Sequence, residues 1–158
     1  MHIPQPYVDL WIDGYNTRMI ELDNRTALDV DIAQLQRIAD TLSGQELELI
    51  ITDSDEIRTI NNEFRAIDKA TDVLSFPYEP MPMAPLGSII ISADYVAEGA
   101  KTHGHSEADE MALLFIHGML HLIGMDHECD NGEMRQKEEE LITAFGLPKS
   151  LIVRTEEK

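Results

Sequence analysis

Five of the six histidines fall between His103 and His127, and three of those have a spacing with chemical consequences. The segment reads His117-Gly-Met-Leu-His121-Leu-Ile-Gly124-Met-Asp126-His127. His117 and His121 stand four apart, so on a helix their rings leave one face about 6 Å from each other. Gly124 tolerates a positive φ without a Cβ clash, which lets the chain turn sharply off the helix end. That turn can return His127 to the first two rings. Three imidazoles converging in this way leave at least one open position on a tetrahedral zinc. The same segment carries Leu113, Leu114, Phe115, Ile116, Leu120 and Leu122, so the helix is apolar nearly all round. A histidine buried there without a partner costs about 1–3 kcal/mol, and one shared metal satisfies both. Imidazole nitrogens favour zinc, with nickel, copper and iron also compatible.

A closed, structural site would need a fourth protein ligand. Cys129 lies two residues beyond His127, but neighbouring loop residues rarely ligate together without strain, and a free thiol is expected. Asp126 is expected to form the turn or to support a ligand. The acidic run from Asp126 to Asn131 is not a calcium loop: its glycine, Gly132, comes one place late, and Lys137 stands where the bidentate glutamate belongs. The spacing also matches zinc proteases of the HExxH type, whose glutamate is the general base, but Gly118 occupies that place here. Three neutral ligands leave the metal its full charge, which suits an anionic substrate oxygen and an activated water. A phosphodiester is one natural substrate, though the spacing alone does not select it.

A second constellation runs from Asn62 to Pro77 and places Arg65 just past an expected helix and before a strand. A guanidinium there is a planar, permanently charged clamp for phosphate. The plainer reading is a surface ion pair with Asp68 or Asp72. His103 and His105, flanking Gly104, are expected on a solvated loop.

These groups need a scaffold. Val8, Leu10 and Ile12 alternate within an expected strand over Tyr7–Asp13, and Leu47, Leu49 and Ile51 within a second. Ile32, Leu35, Ile38 and Leu42 recur at helical spacing, with Gly44 as the stop. Asp53 and Glu56 form a capping-box pattern ahead of Ile57, Ile60 and Phe64. Short strands are expected at Val73–Phe76 and Gly87–Ser92, separated by a proline-rich loop, then a short helix from about Ala93 to Ala100. Ser106 caps the long histidine-bearing helix, which runs to Ile123. Met134, Glu138, Leu141 and Phe145 mark a last helix ended by Gly146, and residues from about 150 to 158 read as a solvated tail. The order implies an α+β fold, a small mixed β-sheet packed with helices, with the metal site on a long buried helix and the following loop.

The chain of 158 residues suits one domain, 1–158. Its 12 basic and 30 acidic residues give a formal charge of −18, which excludes general electrostatic adhesion to nucleic acid. A lone cysteine, no secretory signal and no apolar run near the roughly 20 residues of a membrane span point to a cytoplasmic protein without membrane association.

Together the two constellations resemble the YbeY family of bacterial endoribonucleases. The family pattern HGxLHLxGyDH is met at His117, Gly118, Leu120, His121, Leu122, Gly124, Asp126 and His127. The stretch FRxxDxxTDVLSFP from Phe64, and Leu86-Gly87-Ser88-Ile89-Ile90-Ile91-Ser92, match in character and order, from about Leu47 to Phe145. One departure is Ser88, where members commonly carry Asp. The resemblance implies one Zn²⁺ per chain on His117, His121 and His127, and Arg65 as the catalytic residue acting on phosphate. It further implies cleavage of single-stranded RNA, maturation of the 16S rRNA 3′ end and ribosome quality control. Partners would be rRNA and the small ribosomal subunit or its assembly factors. The acidic chain implies weak, salt-sensitive RNA affinity of its own, with targeting supplied by those partners. Two other readings stay open: a metzincin-like metallohydrolase acting on a non-RNA substrate, and a non-catalytic assembly module with a structural zinc.

Overall fold

The computed structural model describes residues 7–12, 15–81 and 84–148, with side chains from Ile20 onward. The expected tail from about residue 150 lies outside the described residues. In chain order the elements begin β1 (Tyr7–Ile12), β2 (Tyr15–Asn24), α1 (Ile32–Leu42), β3 (Leu47–Thr52) and α2 (Ser54–Arg65). They continue β4 (Val73–Pro77), β5 (Gly87–Ser92), α3 (Ala93–His103), α4 (Glu107–Leu122) and α5 (Glu133–Phe145).

The strands form one five-stranded sheet in the order β1-β2-β3-β5-β4. β2, β3 and β5 run parallel, and β1 and β4 close the two edges as antiparallel partners. Parallel neighbours need crossovers, which α1 supplies between β2 and β3. Helices cover both faces, so β5 is buried along its whole length and reads as an unbroken isoleucine run. One face presents Ile20, Leu49, Ile51, Ile89 and Ile91 to a core shared with Leu35 of α1, Val96 of α3, Phe115 and Met119 of α4, and Leu141 of α5. The other face is smaller, with Leu74 and Ile90 under Ile57 of α2. α4 is thus enclosed by the sheet and three helices, which makes it a rigid carrier. The α+β architecture is the one the sequence implies.

Several boundaries differ from expectation. β2 is an added strand, hydrogen-bonded to β1 with Ile12 opposite Tyr15. α1 ends on an extended Ser43 whose N–H reaches the Ala39 carbonyl, so Gly44 is not its cap. α3 runs to His103, longer than expected, and Gly104 closes it in the left-handed region at φ 69°. Only half the capping box forms at α2. Asp53 accepts from the Glu56 N–H at 2.8 Å, while the Glu56 carboxylate turns to the Thr52 hydroxyl and the Arg25 guanidinium. Among the described residues no helix is long and apolar enough to cross a membrane.

Candidate metal centre

Ser106 begins α4 by accepting the Asp109 N–H at 3.0 Å, and Glu107, Asp109 and Glu110 favour the positive end of its dipole. Twelve residues along from Ser106, the helix presses against the sheet. A Cβ on Gly118 would lie 3.0 Å from Ile89 Cγ2 and 3.2 Å from Ser75 Oγ. The Ser75 hydroxyl donates to the Gly118 carbonyl at 2.9 Å. This close approach turns the face carrying His117 and His121 into a cleft beside β4. It also shows why a protease-type base is missing: the place of its side chain is filled by β4 and β5.

The Nε2 atoms of His117 and His121 face each other at 3.2 Å. Gly124, at φ 94°, folds the chain back, and the Met125 N–H closes on the Leu120 carbonyl at 2.9 Å. His127 then returns with its ring centroid 6.0 Å from that of His117. One nitrogen from each of His117, His121 and His127 lies within 4.8 Å of the others. Burial lowers the His121 pKa, with the neighbouring His117 adding to the effect, and the neutral imidazole so favoured is the ligating form. His127 Nδ1 is buried with no hydrogen-bond partner among the described residues. Two ring nitrogens pointed at each other and a third left unsatisfied are what a shared metal would resolve, so the site fits a divalent ion.

The loop residues sort as the sequence suggests. Asp126 accepts the Glu128 N–H at 3.0 Å and the Cys129 thiol at 3.4 Å, holding the turn that carries His127. The Glu128 N–H, and then the thiol, hold the Asp126 carboxyl below its usual range. The same pairing pushes the exposed Cys129 thiol up. Cys129 is not part of the donor group.

One member of the site escapes sequence reading. Glu138 of α5, only 1% exposed, places Oε2 3.3 Å from His117 Nδ1. A carboxylate on Nδ1 fixes the tautomer and aims Nε2 at the shared centre. The signal was a glutamate standing at an apolar position of an amphipathic helix.

Arg65 is the last residue of α2 rather than a loop residue, and Ala66 caps the helix in the left-handed region at φ 58°. It lines a cleft of about 880 Å³ together with His117, His121, His127, Thr71 and Ser75. The ion pair to Asp68 is made by Arg58, at 2.8 Å. Among the described residues Arg65 has none, so its charge is open to the cleft.

His105 departs from expectation. Its side chain is 9% exposed and pairs with the buried Glu110 at 2.7 Å. α3 extends far enough to leave only a tight turn before α4, and the buried carboxylate there requires a partner. His103 ends α3 and lines the cleft. Ser88, the departure from the family pattern, is buried and donates to Glu48 at 2.8 Å, with Tyr78 OH on its other side.

Residues 16–146 match the family model described as endoribonuclease YbeY. The chain belongs to the YbeY endoribonuclease family. Similar YbeY proteins include one from Wolinella succinogenes, 60% identical over 88% of this chain and 99% of the relative. Another, from Sulfurovum sp. (strain NBC37-1), is 58% identical over 87% of this chain and 98% of the relative. One from Helicobacter pylori (strain J99) is 56% identical over 88% of this chain and 99% of the relative. The solution structure of a Thermotoga maritima protein superposes with a TM-score of 0.56 at 28% identity, covering 80% of this chain and 89% of that one. The match extends well upstream of the YbeY-like motifs, into β2.

Proposed function

We propose that this YbeY-family chain, folded as one domain over residues 1–158, is a zinc-dependent, single-strand-specific endoribonuclease. It acts in the cytoplasm on the 3′ end of 16S rRNA, in maturation and quality control of the small ribosomal subunit. The observation that carries the reading is a cleft in which three histidine nitrogens within 4.8 Å share one surface with an arginine that has no ion pair among the described residues. When bound, zinc would supply Lewis-acid polarisation and an activated water.

The chain's own residues do the rest. His117, His121 and His127 hold the ion from one side and leave the other side open to the cleft. Glu138 keeps the proton of His117 on Nδ1. Arg65 lies at the rim, where its guanidinium can grip a phosphate and stabilise charge that grows in the transition state. The buried helix behind the histidines keeps this geometry fixed between turnovers.

The test is a cleavage time course on labelled single-stranded RNA, comparing wild type, His117→Ala and Arg65→Glu prepared identically, each with its metal content measured. Cleavage is expected to vanish with His117→Ala. Arg65→Glu is expected to keep metal and fold yet lose about 10²–10³-fold in rate, the usual loss for one charge-stabilising group. Equal rates in all three would trace the activity to a contaminant. Loss of cooperative unfolding in His121→Ala would instead favour a structural zinc in an assembly module.

A further inference from the structure

We propose that two exposed tyrosines, Tyr95 and Tyr78, are stacking platforms for unpaired bases on the two sides of the bond that is cut. This rests on RNA being the substrate of the metal cleft. Tyr95 sits in the first turn of α3, just beyond the C-terminal end of β5. It is 37% exposed and lines the cleft with Arg65, its hydroxyl donating to the Ala70 carbonyl at 3.4 Å. Tyr78 follows the C-terminal end of β4 and is 45% exposed. Its hydroxyl pairs with Ser88 Oγ, and its N–H donates to the Leu86 carbonyl at 3.0 Å. Its ring lines a second cleft of about 1010 Å³, walled by Leu42, Leu86, Leu122 and Ile123. The two clefts share Pro77 and Gly124 as lining.

Topology sets the two rings apart. β4 and β5 are antiparallel, so a residue after β5 and a residue after β4 lie at opposite ends of β4. Five residues at about 3.3 Å each separate those ends by about 16 Å. Ser75, midway along β4, is bonded to Gly118 next to His117. The histidine set therefore stands abreast of the middle of a path that has an aromatic ring at each end.

The electrostatics call for such rings. Among the described residues the metal cleft carries Asp72, Glu98, Glu110, Asp126 and Glu128 against Arg65 as its one lysine or arginine. Phosphate attraction alone would hold a strand poorly there. Stacking draws on the uncharged face of a base and works on any sequence. It is open only to unpaired bases, which gives the cleft a physical reason to prefer single strands. Each ring is tethered through its hydroxyl, so little freedom is lost when a base lands on it.

The experiment is an anisotropy titration at low salt of a labelled single-stranded RNA against wild type, Tyr95→Ala, Tyr78→Ala and the two Tyr→Phe variants. Melting temperatures check the folds. Each alanine variant is expected to bind about five- to hundredfold more weakly, and each phenylalanine variant within about threefold of wild type. In cleavage the alanine variants should raise KM and leave kcat near wild type. A second arm needs no variant: abasic nucleotides are stepped along the strand, and wild type should lose affinity at two positions flanking the cut. At each of those positions the matching alanine variant should show no further loss. Wild-type affinity in both alanine variants, or no binding by wild type, overturns the proposal. Cleavage with unchanged KM in both variants sinks the platforms while sparing the nuclease. Tyrosine-dependent binding without cleavage by wild type supports the platforms and counts against the nuclease.

Discussion

Glu138 stands where the periodicity of α5 calls for an apolar side chain, and it ends against His117 Nδ1. A carboxylate in that place sets which nitrogen of the ring is free, so its effect is on metal retention before it is on rate. Glu138→Gln keeps the shape and a hydrogen-bonding group but removes the charge. Zinc affinity is expected to fall about 10–100-fold, measured by competition with a chromogenic chelator, with little change in melting temperature of the zinc-free protein. Unchanged affinity would remove Glu138 from the site. The three histidines were legible because their spacing is local, i and i+4 on a helix plus a glycine-led return. Glu138 was not, because its partner lies 21 residues away and only tertiary packing brings them together. His105 failed for a similar reason: its solvation depended on where α3 stops.

At the scale of elements, α4 is seated on the sheet through Gly118. Gly118→Ala would force a Cβ to 3.0 Å from Ile89 and 3.2 Å from Ser75 Oγ. Overpacking of this kind is expected to cost about 1–3 kcal/mol, read as a lower denaturation midpoint in urea. It should also tilt the histidine face and weaken metal binding, whereas an unchanged midpoint would mean the sheet yields easily. α2 is tied to β3 and to Arg25, the residue just past β2, through Glu56, whose pKa is lowered by the Thr52 hydroxyl and then by Arg25. A carboxyl so lowered contributes its stability in full above the ordinary glutamate value of 4.5, and loses it as pH falls from there through the folded value. Wild type should therefore lose its margin over Glu56→Gln in denaturation series below that pH, and equal curves would dismiss the tie. Most elements were readable from alternation and caps. β2 was not, although Asp13-Gly14 between two strand-like runs is a strong hairpin signal. Its apolar pair, Ile20 and Leu22, is short and embedded among charges, and it gains meaning only beside Leu47 and Leu49 of β3.

For the whole molecule the governing number is the formal charge of −18. Repulsion from a polyanion acts over about 8 Å at physiological salt, so random RNA is expected to bind more weakly than about 1 μM in an equilibrium titration. Nanomolar binding under those conditions would show that the surface holds a basic tract able to overcome the net charge. Under the proposed function, the same repulsion gives delivery by a ribosomal partner a physical purpose.

β4 closes the sheet on the side of the cleft, and among the described residues no further strand pairs with its outer margin. The Ser92 N–H reaches the Asp72 carbonyl, so the alternate residues Val73, Ser75 and Pro77 direct their main-chain groups outward. The Val73 N–H is already taken by its neighbour Asp72 at 2.8 Å, and Pro77 has none to give. An extended peptide that adds itself to such a margin as one more strand is held by main-chain hydrogen bonds. Here two of the three outward N–H donors it would need are missing. The margin beside the cleft is thereby a poorer template for an added polypeptide strand than an edge whose donors are all free.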